Sequence, residues 1–407
     1  MFDTKVLIVG AGPVGLLNAL GLVRQGIPCI LIDEAPGVVR SPRAMVYHWA
    51  VLAGLDRLGV LDRAIERGFR KDDYSYRIYK TGERIGWSLD VLKGKVRFPF
   101  NVHIGQDTMG DIVVEDLARE PLADLRWNTR FAGLTQDADG VTVSAVGPDG
   151  KPYDIRAEWV IGADGARSPV RHALGLDFEG TTWDNRFVAT NIRVDLEAKG
   201  YTRSVLQIDD VYGAIVAKID NSDLWRCTFC EDAALPEDGV ADRIPGMLAK
   251  IIPEMGADYE LVQYSPYRMH QRAATEFRKG RVVLAGDAAH ATNPTGALGL
   301  TSGLFDTWIL QEALGAVVRG EAAPEVLDRY AAERRRSFVQ DTSPQAVANC
   351  QLVYRCTDPA ELERKLVDIR RMADDEDLVV ERSMFTLRLE TPSLITGLRT
   401  NDLETAA

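Results

Sequence analysis

Three short segments carry residue types that suit one elongated, phosphorylated ligand. The first is Gly10-Ala-Gly-Pro-Val-Gly15, directly after the apolar run Lys5 to Val9. Gly10 permits a tight turn, Gly12 lets the backbone approach a pyrophosphate, and Gly15 lets the next helix lie close to the strand. Pro13 suits a first helical turn because its missing N–H has no helical partner there. The N–H groups around Pro13 and Val14 then face the phosphates, helped by a partial charge of about half a unit at the helix start. Asp33, followed by Glu34, ends the next strand where a carboxylate would grip an adenosine ribose. The second segment is Gly162-Ala-Asp-Gly-Ala-Arg-Ser-Pro169, with Asp164 on a turn and Ser168-Pro169 as a helix-capping pair. Its plain alternative is an ordinary turn aspartate. The third runs from Gly280 to His290 and on through Asn293 to Leu300. There a strand delivers Gly286-Asp287, a carboxylate suited to the hydroxyls of a ribityl chain. A helix then starts near Gly299, and its N-terminus suits a ring edge that becomes negative on reduction, as the N1–C2=O edge of a flavin does.

The elements that must position these turns alternate between two kinds. Strand, turn, helix and strand from Lys5 to Asp33 form a unit of a parallel, doubly wound sheet. Helices are expected at 49–68, 108–120 and 299–318, and strands at 129–136, 140–146, 159–162 and 281–285. Alternating stretches within 74–103 and 185–230 read instead as antiparallel strands. The expected fold is therefore α/β: a Rossmann-like domain with a parallel sheet (1–73, 104–182 and 278–345) interleaved with an antiparallel-sheet domain (74–103 and 183–277). Residues 346–407 read as a C-terminal helical region, whose helices are candidates for a homodimer contact.

Bulk properties exclude several function classes. With 407 residues, 46% hydrophobic, there is ample material for a core. A net charge of −12 argues against a nucleic acid as partner. Five cysteines cannot all pair, and Cys227-Thr-Phe-Cys230 lies in a strand-like run where i and i+3 point to opposite faces. No metal site is expected, and a reducing cytoplasm fits. Val6 to Val23 holds 18 residues without a charge, but Gly10, Gly12, Pro13 and Gly15 break it, and Asp3 offsets Lys5 in front. A strand, turn and helix explain it better than a membrane span or a signal segment.

In this order and spacing the three motifs resemble the group A flavoprotein monooxygenases, the para-hydroxybenzoate hydroxylase-like family, over residues 1–345. Ser41-Pro-Arg-Ala44 adds Arg43, which matches the family arginine near the FAD pyrophosphate. Gln106 matches a glutamine that touches the cofactor, and Tyr267 to Arg272 leads into the Gly286-Asp287 segment as the family pattern does. The chain departs from the pattern at Asp33-Glu34, where Glu-Arg or Glu-Lys is usual; at Ala297, usually Gly; and at Leu300-Thr301, usually Met-Asn. The resemblance implies one FAD, with NADH or NADPH as a transient co-substrate lacking its own Rossmann domain. Molecular oxygen would be trapped as a flavin C4a-hydroperoxide and passed to a small phenolic or heteroaromatic ring. Gly10, Gly12, Pro13, Val14, Gly15, Asp33, Glu34, Arg43, Gln106, Asp164, Gly286, Asp287, Pro294, Gly299, Leu300 and Thr301 would hold the cofactor. His48 is the candidate base for the substrate hydroxyl, against the plain alternative of capping the following helix, and His290 is expected to support the Asp287 turn. Pro294 and Tyr212 join His48 as catalytic candidates, and Gln207 and Cys227 are expected in the substrate pocket. Rival readings are another oxygen-inserting or reducing flavoenzyme on the same scaffold, such as a Baeyer–Villiger enzyme, epoxidase or reductase, and a non-catalytic flavin redox sensor. A halogenase is disfavoured because no Trp-x-Trp-x-Ile-Pro segment exists.

Overall fold

The aliphatic run Val6–Val9 of strand Thr4–Val9 is buried on both faces, which only the middle of a covered parallel sheet provides. In the computed structural model, which describes residues 2–402, it pairs in parallel with Cys29–Ile32 on one side and Pro152–Gly162 on the other. The order across this sheet is Arg278–Lys279, Val282–Leu284, Pro152–Gly162, Thr4–Val9, Cys29–Ile32, Ala123–Arg126. Val141–Val146 and Arg130–Gln136 extend it antiparallel from the outer half of Pro152–Gly162. Helices Pro13–Val23, Gln106–Leu117 and Leu298–Val318 cover one face, the last with buried residues on every side, including Trp308.

A second sheet of eight strands runs His290–Ala291, Glu260–Ala274, Phe178–Arg193, Leu224–Asp232, Ala214–Lys218, Ser204–Ile208, Asp73–Ile78, Arg84–Ser88. Strict alternation divides its side chains. One row, on the inner face, runs Tyr76, Leu206, Ile215, Thr228, Ala189. The intervening row, Ser75, Val205, Val216, Cys227, Thr190, faces the other way, where helix Val240–Ile251 packs against it. That helix was not read from the sequence, although Ile244, Leu248 and Ile251 recur at helical spacing along it.

A small third sheet joins the two parts: Val46–Tyr47, Asn101–His103 and Phe69–Lys71. It takes Asn101–His103 out of the 74–103 antiparallel stretch, and Phe178–Arg193 starts before residue 183, so both elements cross the boundaries expected from sequence. The expected 49–68 helix is two helices, Trp49–Arg57 and Leu61–Arg67, separated at Gly59, where φ is +60°. The C-terminal region holds helices Ser343–Tyr354, Pro359–Arg371, Glu376–Ser383 and Phe385–Arg388; its expected last residues, 403–407, lie outside the described residues. Among the described residues no helix is long and apolar enough to cross a membrane.

Candidate active site

The three turns meet at the carboxyl ends of the parallel strands. A Cβ built on Gly10 would fall 2.4 Å from the Ala163 carbonyl oxygen, and one on Gly286 would fall 2.8 Å from a Val14 methyl. The first turn therefore touches both of the others. Arg171, buried behind the second turn, donates to the Ala288 carbonyl at 2.8 Å and ties it to the third.

Each glycine of the first turn has its own reason. Gly10 sits at φ +105°, and a Cβ on Gly15 would lie 1.8 Å from the Gly10 carbonyl, so strand and helix approach as only glycine allows. Around Gly12 a Cβ would meet nothing within 4 Å. The protein itself does not need glycine there; a ligand against that backbone does. Helix Pro13–Val23 has no side-chain cap, so its first N–H groups are left for such a ligand. Asp33 accepts from Ala11 N at 2.6 Å and Ala35 N at 2.8 Å, which holds its carboxylate at the turn, and each oxygen keeps a second lone pair for a ribose hydroxyl. Glu34 is exposed beside it.

Asp164 is held by its own turn: its oxygens accept from Ser168 Oγ at 2.6 Å and Val170 N at 2.9 Å. Burial raises its pKa, and these hydrogen bonds pull the other way. It shapes the turn. Asp287, by contrast, is exposed on its turn while Gly286, Ala288 and Ala289 around it are buried. The turn rests on a charged centre that sequence spacing did not reveal. Asp306, on helix Leu298–Val318, accepts from Gly286 N at 2.9 Å, His290 Nε2 at 2.7 Å and Arg334 Nε at 2.7 Å. Burial alone would raise this carboxyl, but His290 and Arg334 hold it down at about 2. A lone aspartate in so apolar a helix was the available signal. His290 thus supports the turn through Asp306.

The loop before that helix is clamped from several sides. Gln271 Oε1 accepts from Thr292 Oγ1 at 2.9 Å and Asn293 Nδ2 at 3.2 Å, and Ala297 N donates to the Pro294 carbonyl at 3.0 Å. Ala297 takes up left-handed backbone, φ +56°, and the helix after it has no side-chain cap, so the N–H groups around Leu298, Gly299 and Leu300 are free to meet a ligand. The Thr301 side chain is buried and bonds back to the Ala297 carbonyl at 3.1 Å, so any contact it makes with a ligand is through backbone. Arg43 is exposed, with its charge acting on Asp287 and Tyr267, and half-buried Gln106 opens helix Gln106–Leu117.

Helix Ser343–Tyr354 joins this loop to the inner face of the second sheet, where half-buried Leu206, Ile215 and Tyr267 pack against Cys350, Val353 and Tyr354, and half-buried Tyr74 and Tyr76 stand on the same face. Hydrogen bonds bound the cleft between them. His48 Nε2 donates to the Gly296 carbonyl at 2.9 Å, Asn349 Nδ2 donates to the Thr295 carbonyl at 3.3 Å, and Tyr354 donates to the Thr228 carbonyl at 3.1 Å. Arg226, buried on the inner face, donates to the Arg43 carbonyl, and burial pushes its pKa down to about 10.

Four expectations change here. Gln207 and Cys227 lie on the far face of the sheet: the Gln207 amide donates to the Tyr212 carbonyl at 2.7 Å and the Ile251 carbonyl at 3.1 Å, and Cys227 packs under helix Val240–Ile251. A strand's period of two sends them away from the cleft. Tyr212 packs with the same outer cluster and against Tyr79, 5.1 Å between ring centres, so it is not at the site. His48 is at the cleft, but both ring nitrogens are taken. Trp49 N donates to Asn101 Oδ1 at 2.7 Å, which fixes the amide so that Asn101 Nδ2 faces His48 Nδ1 at 3.2 Å. The imidazole is neutral, its pKa pushed down to about 4 by burial, and its one lone pair is a base only once Asn101 lets go.

Comparison with known proteins agrees with this geometry. A family model described as an FAD binding domain matches residues 3–343. The chain is 40% identical to 6-hydroxy-3-succinoylpyridine 3-monooxygenase of Pseudomonas putida over 95% of this chain and 98% of that one. It is 42% identical to para-nitrophenol 4-monooxygenase of a Pseudomonas species, over 88% of each. The crystal structure of a p-nitrophenol 4-monooxygenase from Pseudomonas putida superposes with a TM-score of 0.92 at 39% identity, covering 96% of this chain and 99% of that one. The chain belongs to the FAD-dependent aromatic monooxygenases. The residues present fit the cofactor. In this monooxygenase the open backbone at Gly12 and the uncapped helix start suit a pyrophosphate, Asp33 a ribose, exposed Asp287 a hydroxylated chain, and the start of helix Leu298–Val318 an electron-rich ring edge.

Proposed function

We propose that this monooxygenase hydroxylates a small phenol or hydroxylated heteroaromatic ring, with NADH or NADPH as electron donor. One atom of molecular oxygen enters the ring and the other leaves as water, with NAD(P)H and a proton consumed. When bound, the flavin accepts the hydride and carries the oxygen atom. The chain supplies the rest: a pocket that excludes water and holds the ring beside the loop at Pro294 to Gly296. The observation that carries this reading is the cleft wall. Tyr74, Leu206, Ile215 and Tyr267 put half-buried aromatic and aliphatic side chains on the inner sheet face, and helix Ser343–Tyr354 links that face to the loop before the uncapped helix start; a flat aromatic ring suits such a surface.

A basic cluster supports the nucleotide donor. In a chain of net charge −12, Arg167 beside the second turn and Arg268 and Arg272 on strand Glu260–Ala274 act together on His270. Burial lowers that imidazole first, and the three arginines lower it further. Such a group suits the phosphates of a dinucleotide that binds transiently. The test is NAD(P)H consumption by the FAD-loaded protein with a panel of phenols, hydroxypyridines and quinolones. At least one should accelerate it more than tenfold and yield a product heavier by one oxygen. A protein that holds FAD and is never stimulated by any member would refute the reading.

A further inference from the structure

The small sheet carries one group of buried polar side chains that the reading so far leaves unused. Register sets Val46 opposite His103 and Lys71 opposite Asn101. His48, two residues after Val46, falls on the same face. One row across the sheet is therefore His48, Asn101, Lys71, with His103 diagonal to Lys71. Facing residues lie about 5 Å apart and diagonal ones about 7–8 Å, within reach of a lysine side chain.

Among the described residues, two atoms on this face lack a partner. Lys71 is fully buried and its Nζ has no hydrogen bond; it rests over the face of the Tyr74 ring. His103 is fully buried too. Its Nδ1 donates to the Lys218 carbonyl at 2.8 Å, which makes Nε2 an acceptor, and that atom is unmet. A buried donor and a buried acceptor left open on one face are costly to keep unless something fills them. Tyr74, beneath Lys71, is one of the half-buried cleft residues, and its hydroxyl accepts from Asn101. The neighbouring His48 has both nitrogens occupied.

We infer that Lys71 and His103 form the seat for the substrate's ring hydroxyl, with Lys71 Nζ as the proton acceptor. The inference rests on the phenolic reading above. The hydroxyl donates to the Nζ lone pair, while an N–H of the same nitrogen donates to His103 Nε2. In the step the substrate O–H bond breaks and a third N–H forms, giving an ammonium. The oxygen keeps the electron pair, and its charge enriches the ring for attack. The Tyr74 face steadies the new cation. Burial pushes the Lys71 pKa well down, opposed by Asp73 and Asp72 and aided by Arg203, so the amine is free to accept. His48, His103 and Tyr74 are the other titratable groups around it.

The test uses 4-nitrophenol, whose colour reports its ionisation, titrated into the FAD-loaded enzyme without NAD(P)H. Bound to the unmodified protein it should ionise at least one pH unit lower than free in solution. Lys71→Met should hold FAD, lose this shift and reduce substrate-stimulated kcat more than tenfold. His103→Gln, which restores an acceptor, should keep most of the shift that His103→Leu loses. An unchanged shift in Lys71→Met overturns the proposal, as does its loss in His48→Gln with retention in Lys71→Met. If Lys71→Met cannot hold FAD, Lys71→Gln is read in the same way, and FAD loss in both shows a structural role and overturns it as well. An unmodified enzyme that neither binds the nitrophenol nor responds to any phenol would instead refute the phenolic reading, and this inference with it.

Discussion

Ala297 holds φ at +56° at the start of helix Leu298–Val318. Left-handed backbone costs a residue with a Cβ roughly 1–2 kcal/mol, while glycine there would add about 0.5–1 kcal/mol of unfolded-chain entropy. Ala297→Gly should therefore raise the stability of the apoprotein by less than about 1 kcal/mol, and Ala297→Val should lower it by about 2 kcal/mol, read from urea midpoints. Asp306 works on the same scale. It is buried with Arg334 and His290, and its pKa is held at about 2. Because the folded value lies below the unfolded one, near 4, its contribution is present above pH 4 and is lost as the pH falls from there toward 2. Asp306→Asn leaves the buried Arg334 charge unpaired and should cost about 3–5 kcal/mol, removing this carboxylate's share of the acid-limb slope in a stability–pH profile.

At the scale of elements, the Gly-rich turn separates packing from binding. A Cβ on Gly15 would collide with the Gly10 carbonyl, whereas one on Gly12 would meet no protein atom. Gly15→Ala must push helix Pro13–Val23 off strand Thr4–Val9 and should lower the melting temperature even without cofactor. Gly12→Ala should leave apoprotein melting within about 0.5 kcal/mol of the unmodified chain, yet weaken FAD binding at least tenfold. Equal damage to the apoprotein from both substitutions would mean that Gly12 serves the fold alone. The loop at residues 292–297 belongs to the same scale: Gln271, His48 and Asn349 reach it from three different elements, so its backbone is set before any substrate arrives.

Across the whole molecule, helix Ser343–Tyr354 ties the second sheet to the loop at residues 292–297. Phe187, Met269, Cys350, Val353 and Tyr354 form one buried cluster, with Tyr354 edge-on to Phe187 at 5.1 Å and donating to the Thr228 carbonyl. This helix lies beyond the matched family domain, which ends at residue 343, yet Asn349 on it helps to bound the cleft. Tyr354→Ala should cost about 3–5 kcal/mol in denaturant unfolding through the cavity and the unmet carbonyl. It should also raise the fraction of NAD(P)H consumed without product, because the cleft wall loosens.

The FAD-binding half was legible in the sequence because its signals are local. Gly15 answers to a clash with Gly10 within one turn, Gly12 leaves its backbone open, and Asp33 ends the adjacent strand, whereas the Asp287 turn rests also on distant Asp306 and Arg334. The cofactor is read from these turns, and the family from the resemblance that they carry. The substrate side was not legible, since facing is decided by strand register and by what packs on each side. Cys227 and Gln207 looked available in sequence, but alternation and helix Val240–Ile251 put them on the far face. Lys71, Asn101, His103 and His48 stand far apart along the chain, and only the pairing of three short strands gathers them on one surface. Short-range sterics are written residue by residue; the sharing of one face by distant strands is a property of the folded sheet.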